Sequence, residues 1–158
     1  MFDRLLPRHV DNTYRGHALA LWLFAVLVAL KLTIGLNCIL NGREVASSAD
    51  GIPLDTFDPA CARMIVSDFA LWGLAQVMIC GLCILVLVRY RALVPCMFTL
   101  LLLEHLGRKL ILQVLPIVTT GKPPGFFVNL VLLALMVVGL ALSLWSRDNP
   151  QDHVARRA

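Results

Sequence analysis

The amino-acid sequence predicts an all-α fold, a polytopic membrane protein built as one four-transmembrane-helix bundle over residues 1–158. Three observations predict it. The chain is 59% hydrophobic and only 15% charged, with a mean hydropathy of +0.80, whereas soluble domains lie nearer half apolar and a quarter charged. Its apolar residues gather into four runs, at 18–40, 64–88, 94–115 and 126–145. Each run is about as long as the ~20 residues a helix needs to cross the hydrocarbon core of a bilayer. Lys and Arg outside these runs fall mostly to one side of them.

The first helix is expected at 18–40. About sixteen mixed residues precede it, and it exceeds the roughly 7–15 residues of a signal-peptide core. No A-x-A-like site follows, so it reads as a retained helix. An outer loop follows at 41–58, rich in Gly, Ser, Asp and Pro. The second helix is expected at 59–88, with Asp58 as N-cap and Pro59 as its first residue. The link Arg89-Tyr90-Arg91 is so short that helices two and three must form an antiparallel hairpin. The third helix is expected at 92–115, with Pro95 in its first turn and Pro116 ending it. Pro123-Pro124 launches the fourth, at 124–146. The polar residues 146–158 read as a short tail.

Charge orients the bundle. Arg4, Arg8, Arg15, Arg89, Arg91, Arg147, Arg156 and Arg157 lie on one side. Arg43, Arg63 and Lys122 lie on the other, where the loop carries Glu44, Asp50, Asp55 and Asp58. The expectation is a multi-pass protein of the cell inner (plasma) membrane with both termini cytoplasmic. No basic stripe with interleaved aromatics occurs, so nucleic acid is excluded as a partner.

The remaining basic residues, Lys31, Arg108 and Lys109, fall inside the apolar runs, together with Asp68, Gln76, Glu104 and His105. Ionisable groups at membrane depth cost several kcal/mol unless paired or facing protein, and they usually mark function. Helical geometry places Glu104, Arg108, His105, Lys109 and Gln113 on one half of the third helix, with Leu103, Leu106, Leu110, Ile111 and Val114 on the other. The second helix offers a stripe of Asp68, Trp72, Gln76, Ile79 and Cys83. Lys31 comes from the first helix at the depth of Glu104–Arg108. The expected network pairs Glu104 with Arg108 along its helix and with Lys31 across the bundle, and pairs Asp68 with Arg108 or Lys109. Lys109 has the alternative of snorkelling to the outer interface. Helices one to three would enclose this set, and helix four, with Asn129 near its outer end, would pack outside. Three fixed cations against two carboxylates leave one positive charge, which an anionic ligand could satisfy. The competing reading is a purely structural ion-pair network.

Other chemistry is poorly supported. A haem-binding bundle needs paired intramembrane histidines, yet only His105 is central; His17 lies at the inner edge, and His9 and His153 lie outside the spans. No zinc spacing, P-loop, G-x-S-x-G or H-E-x-x-H pattern occurs. Cys80-Gly81-Leu82-Cys83 matches C-x-x-C, but within a helix, where packing is the simpler role. Cys38 and Cys61 both lie near the outer surface, where a disulfide closing the loop is conceivable.

Trp72-Gly73-Leu74-Ala75-Gln76, followed by a half-helix ending Leu87-Val88-Arg89-Tyr90-Arg91-Ala92, resembles the second-to-third helix hairpin of DoxX-like four-helix membrane proteins. Lys31-Leu32 followed by Gly35 is similar to that family as well. The resemblance covers about half the chain. It departs at Gln76, where the family often has a glutamate, and the block 104–109 has no counterpart. It implies a small inner-membrane protein, sometimes linked to quinone or sulfur redox complexes.

The functional expectation is a non-enzymatic site that binds or transports an anionic or amphiphilic small molecule, either a lipid headgroup or a quinone-like molecule. It is made of Lys31, Asp68, Gln76, Glu104, His105, Arg108 and Lys109, without metal or required cofactor. Membrane lipids are the expected partners, with a homo-oligomer or larger membrane complex as the setting. The alternatives are a non-catalytic accessory subunit or assembly factor, and a membrane redox protein.

Overall fold

Backbone N–H and C=O groups surrounded by apolar side chains must satisfy one another, and here they do so along four long helices. The computed structural model describes residues 16–117 and 124–145, with Asn12, Tyr14 and Thr119. The basic residues Arg4, Arg8, Arg15, Lys122, Arg147, Arg156 and Arg157, and the tail after Trp145, lie outside the described residues. The long helices are α1 (Ala18–Leu40), α2 (Pro59–Arg89), α3 (Val94–Val114) and α4 (Gly125–Leu144). Among the described residues there is no strand.

Local chemistry sets the boundaries. The His17 imidazole accepts from Leu19 N at 3.2 Å and caps α1. Asp58 Oδ2 accepts from Ala60 N at 2.9 Å, and Pro59 opens α2. A 3-10 turn, Arg91–Leu93, joins α2 to α3, so α3 begins slightly later than the sequence suggests. Leu115, forced off helical geometry before Pro116, ends α3 at φ −120° and ψ 75°. The connection from α1 to α2 is more ordered than a plain loop. It holds the helical turns Gly42–Glu44, Val45–Ala49 and Leu54–Thr56. Gly51, at φ 70°, turns the chain directly after Asp50 in a conformation that side chains resist.

The expected four spans are not matched by composition. α1, α2 and α4 are long and apolar enough to cross a membrane. α3 is long enough, but Glu104, Arg108 and Lys109 fall within its 21 residues. α2 has 31 residues, about 46 Å of helix, well beyond the ~30 Å of a hydrocarbon core. Its first turns pack Ala62, Ile65, Val66 and Phe69 under Ala46, Ile52 and Leu54 of the connection, forming a small apolar cap.

The helices form a ring in chain order, with α4 between α1 and α3. The expectation that helix four packs outside is therefore corrected. The main core lies toward the end that holds the α2–α3 hairpin. There Phe24 meets Phe98 edge-to-face at 5.0 Å, with Cys83, Val86, Met97 and Met136 around them. Gly139 of α4 lies against the Phe98 ring, where a Cβ would collide. α1 and α2 touch closely further along, at Gly35 and Gly73, where an added Gly73 Cβ would lie 2.6 Å from the Gly35 carbonyl oxygen.

Candidate functional site

Between the main core and the cap lies a belt of polar residues, and α3 reaches from it to each of the other long helices. Lys31 Nζ of α1 donates to Glu104 Oε2 at 2.9 Å, with Lys31 3% and Glu104 23% exposed. Arg108 Nη2 donates to Asn129 Oδ1 of α4 at 3.2 Å. The Arg108 guanidinium carbon also sits 4.6 Å from the centre of the Trp72 ring of α2, a cation–π contact. A regular helix places Glu104 and Arg108 one turn apart on one face, which is why two successive polar residues can serve different neighbours.

His105 follows Glu104 and is 4% exposed. Its Nδ1 is buried and has no hydrogen-bond partner among the described residues. Gln76 of α2 is also buried and donates to Cys80 Sγ at 3.8 Å. Its aliphatic part packs beside Gly35.

The belt opens toward the loop end. Every residue of α3 from Lys109 onward is exposed, through to Ile117. That departure leaves a partly open cleft of about 530 Å³ between the far half of α3, the start of α4 and the loop. Its polar wall is His105, Arg108, Lys109 and Asn129, with Asp50 on the loop opposite. Its apolar wall includes Ile52, Leu112, Ile117, Phe126, Leu130 and Leu133. Burial pushes the Asp50 carboxyl above its usual range, and the Arg108 charge pulls it partly back. The loop comes so close to α4 that a Cβ on Gly125 would lie 2.8 Å from Asp50 Oδ1.

No family model, curated protein or solved structure matches the chain. The functional reading therefore rests on the chemistry of these residues.

The expected residues divide into three groups. His105, Arg108 and Lys109 line the cleft. Lys31, Glu104 and Gln76 lie deeper, the first two as an ion pair. Asp68 belongs to neither group. It is exposed on α2, and among the described residues it forms no ion pair with Arg108 or Lys109. Arg108 is engaged by Trp72 and Asn129 instead, and Lys109 is exposed. The expected Glu104–Arg108 pair is likewise replaced, since Glu104 turns to Lys31 while Arg108 turns to Asn129 and Trp72. Sequence reasoning missed Asp50, which resembles the loop's other acids until the positive-φ glycine after it is taken as a sign of a constrained turn. It also left Asn129 outside the site and named Trp72 only as a member of the second-helix stripe. The five cysteines are free thiols; Cys38 is buried and Cys61 exposed.

Proposed function

We propose that this is a small inner-membrane protein whose four long helices all cross the bilayer, with both termini cytoplasmic, and whose cleft binds the anionic head of an amphiphile from the outer leaflet. The observation that carries this reading is the pairing of the two cleft walls. Arg108 and Lys109, with the buried His105 imidazole beside them, stand above apolar side chains that continue along α3 and α4. Cationic and hydrogen-bonding groups suit a head that bears oxyanions, while the apolar wall suits its chain. The charges of α3 become tolerable at membrane depth because Glu104 is paired with Lys31 and the Arg108 guanidinium lies on Trp72. Trp22 and Trp145, 73% and 72% exposed, lie toward the hairpin end of the bundle, as tryptophans do at a membrane interface.

Native mass spectrometry of gently solubilised protein, with an absorption spectrum, tests this reading. Wild type is expected to retain a stoichiometric amphiphile. Arg108→Gln and Lys109→Gln should lose it while keeping the helical circular dichroism of wild type. Equal retention by folded Arg108→Gln and by Lys109→Gln would overturn it.

A second reading, an accessory subunit, is favoured by the exposure of α3 from Lys109 onward, a surface that a partner chain could cover. It calls for a stoichiometric protein partner in mild detergent, with the cleft empty of lipid.

A further inference from the structure

We infer that the cleft takes up a proton together with its anion, with Asp50 as the proton's carrier, so that the anion binds more tightly as the outer medium becomes acid. This rests on the proposed anion site and adds its regulation by a second ligand, the proton.

Asp50 is fixed where it cannot avoid the ligand. It lines the cleft with Arg108 and Lys109. Its carboxyl is set against the start of α4, where a Cβ on Gly125 would lie 2.8 Å from Oδ1. The turn that carries it is tied on both sides. Asp50 N donates to Val45 O at 3.0 Å, and Ile52 N donates to Ala46 O at 2.9 Å. Ala46 and Ile52 are buried against the first turns of α2, and Gly51 holds its φ of 70° between Asp50 and Ile52. A turn anchored in this way leaves Asp50 only the rotation of one short side chain. Among the described residues Asp50 forms no ion pair. A carboxylate so placed must share the cleft with an incoming oxyanion, or take up a proton.

The surroundings set the direction of the effect. α3 contributes His105, Arg108 and Lys109 to the cleft wall, and α4 contributes Asn129 and no ionisable group. α1 brings the buried Cys38 thiol within electrostatic range of Asp50. α2 meets the loop through Ala62, Ile65, Val66 and Phe69, while its Arg63 and Asp68 are exposed. Within the loop, Glu44 accepts from Ser48 Oγ at 2.6 Å and Asp55 pairs with Arg43. Burial pushes the Asp50 carboxyl up, and the Arg108 charge is what draws it back. An oxyanion on Arg108 offsets that pull and adds a negative charge of its own. Both changes favour the protonated carboxyl, which then has an O–H to donate to the oxyanion. The coupling is reciprocal, so whatever the anion adds to the proton's affinity the proton adds to the anion's. Its sign follows from two like charges sharing one cleft, whatever the cleft's total charge. Anion and proton together also bring no net charge into a site at membrane depth, where uncompensated charge is costly.

The experiment is isothermal titration calorimetry of the full chain in phosphatidylcholine nanodiscs, with empty nanodiscs as the blank. The probe is decanesulfonate, a strong-acid head that keeps its charge throughout. Titrations in acid and in mildly alkaline medium, each in buffers of differing ionisation enthalpy, give both the affinity and the protons taken up. Decanesulfonate should bind about tenfold more tightly at about pH 5 than at about pH 8, the scale of one pKa unit of coupling, with net proton uptake. Asp50→Asn should bind in the alkaline medium as tightly as wild type does in the acid one, without proton uptake, and Asp50→Ser should do the same. His105→Gln should keep the pH dependence, which separates the carboxyl from the imidazole as the proton's carrier. Wild-type binding with no proton uptake overturns the inference while the anion site stands. So does a pH dependence that persists in folded Asp50→Asn or Asp50→Ser, or one that vanishes in folded His105→Gln. No binding of decanesulfonate in either medium, or binding indifferent to Arg108→Gln, overturns the site itself.

Discussion

Removing Glu104 should cost more stability than removing Lys31, although each substitution breaks the same ion pair. At 2.9 Å, with an effective dielectric near 20, the attraction is about 6 kcal/mol. Desolvation of each ion takes back several kcal/mol, so the intact pair adds little in total. What costs energy is a survivor without its partner, at about 3–5 kcal/mol for a fully buried ion. Lys31 is 3% exposed and Glu104 23% exposed. Glu104→Leu therefore strands a deeply buried ammonium and should destabilise by about 4 kcal/mol. Lys31→Met strands a carboxylate that is less completely buried, at about 2 kcal/mol. The double variant Lys31→Met/Glu104→Leu removes both charges and should return to within about 1 kcal/mol of wild type. Unfolding in detergent micelles with rising SDS fraction, followed by far-ultraviolet circular dichroism, gives all four corners of the cycle. Additive single effects, or a Lys31→Met cost equal to that of Glu104→Leu, would refute the argument.

Three further outcomes follow from individual side chains. Gly73→Ala places a Cβ 2.6 Å from the Gly35 carbonyl and should destabilise by about 1–3 kcal/mol; Gly81→Ala, with no neighbour within 4 Å, should be neutral or gain up to about 1 kcal/mol, both read by thermal melting. Tyr14 is pushed up from 10.0 to about 12 by burial. A raised folded value means that this contribution to stability is complete below pH 10.0 and is lost as pH climbs toward about 12; Tyr14→Phe should remove that part of the alkaline decline, and phenolate absorbance at high pH should show one late-titrating tyrosine. Asp50 is also raised by burial, so its charged form opposes folding as pH rises through the folded value; Asp50→Asn should leave the melting temperature at neutral pH unchanged or higher, and a marked drop would mean that the carboxylate is a structural cap for α4.

Much of the fold was legible because its signals are local. Asp58-Pro59 opens α2 and Pro116 ends α3 through backbone chemistry that needs no tertiary context. The depth match of Lys31 with Glu104 was readable as well, since helix rise converts sequence distance into height. Azimuth was less informative. A helical wheel says which residues share a face, but not which neighbouring helix that face meets. Asp68 shares a stripe with Trp72 and Gln76, yet only Trp72 meets Arg108. Asn129 looked isolated on an apolar helix because nothing in α4 itself shows that α3 will lie beside it. Asp50 needed the loop to fold back on Gly125 before it could face a basic residue.

The cleft itself follows from where the small residues are placed. Gly139 lets the Phe98 ring press against α4 near the hairpin end, while Gly35 and Gly73 bring α1 and α2 together further toward the loop. α3 is thus clamped by apolar packing at one end only. Beyond His105 its attachments are polar, namely Arg108 to Asn129 and Arg108 to Trp72, and past Arg108 every residue is exposed. A leucine-rich helix freed in this way in water would collapse back onto the bundle. On the proposed membrane-embedded reading there is no hydrophobic force within lipid to drive that closure, so the apolar wall of Leu112 and Leu130 can stay open. The same residues that fix α3 also mark the rim of the cleft, which makes Arg108 a packing device and, on the proposed function, one of the groups an oxyanion would meet.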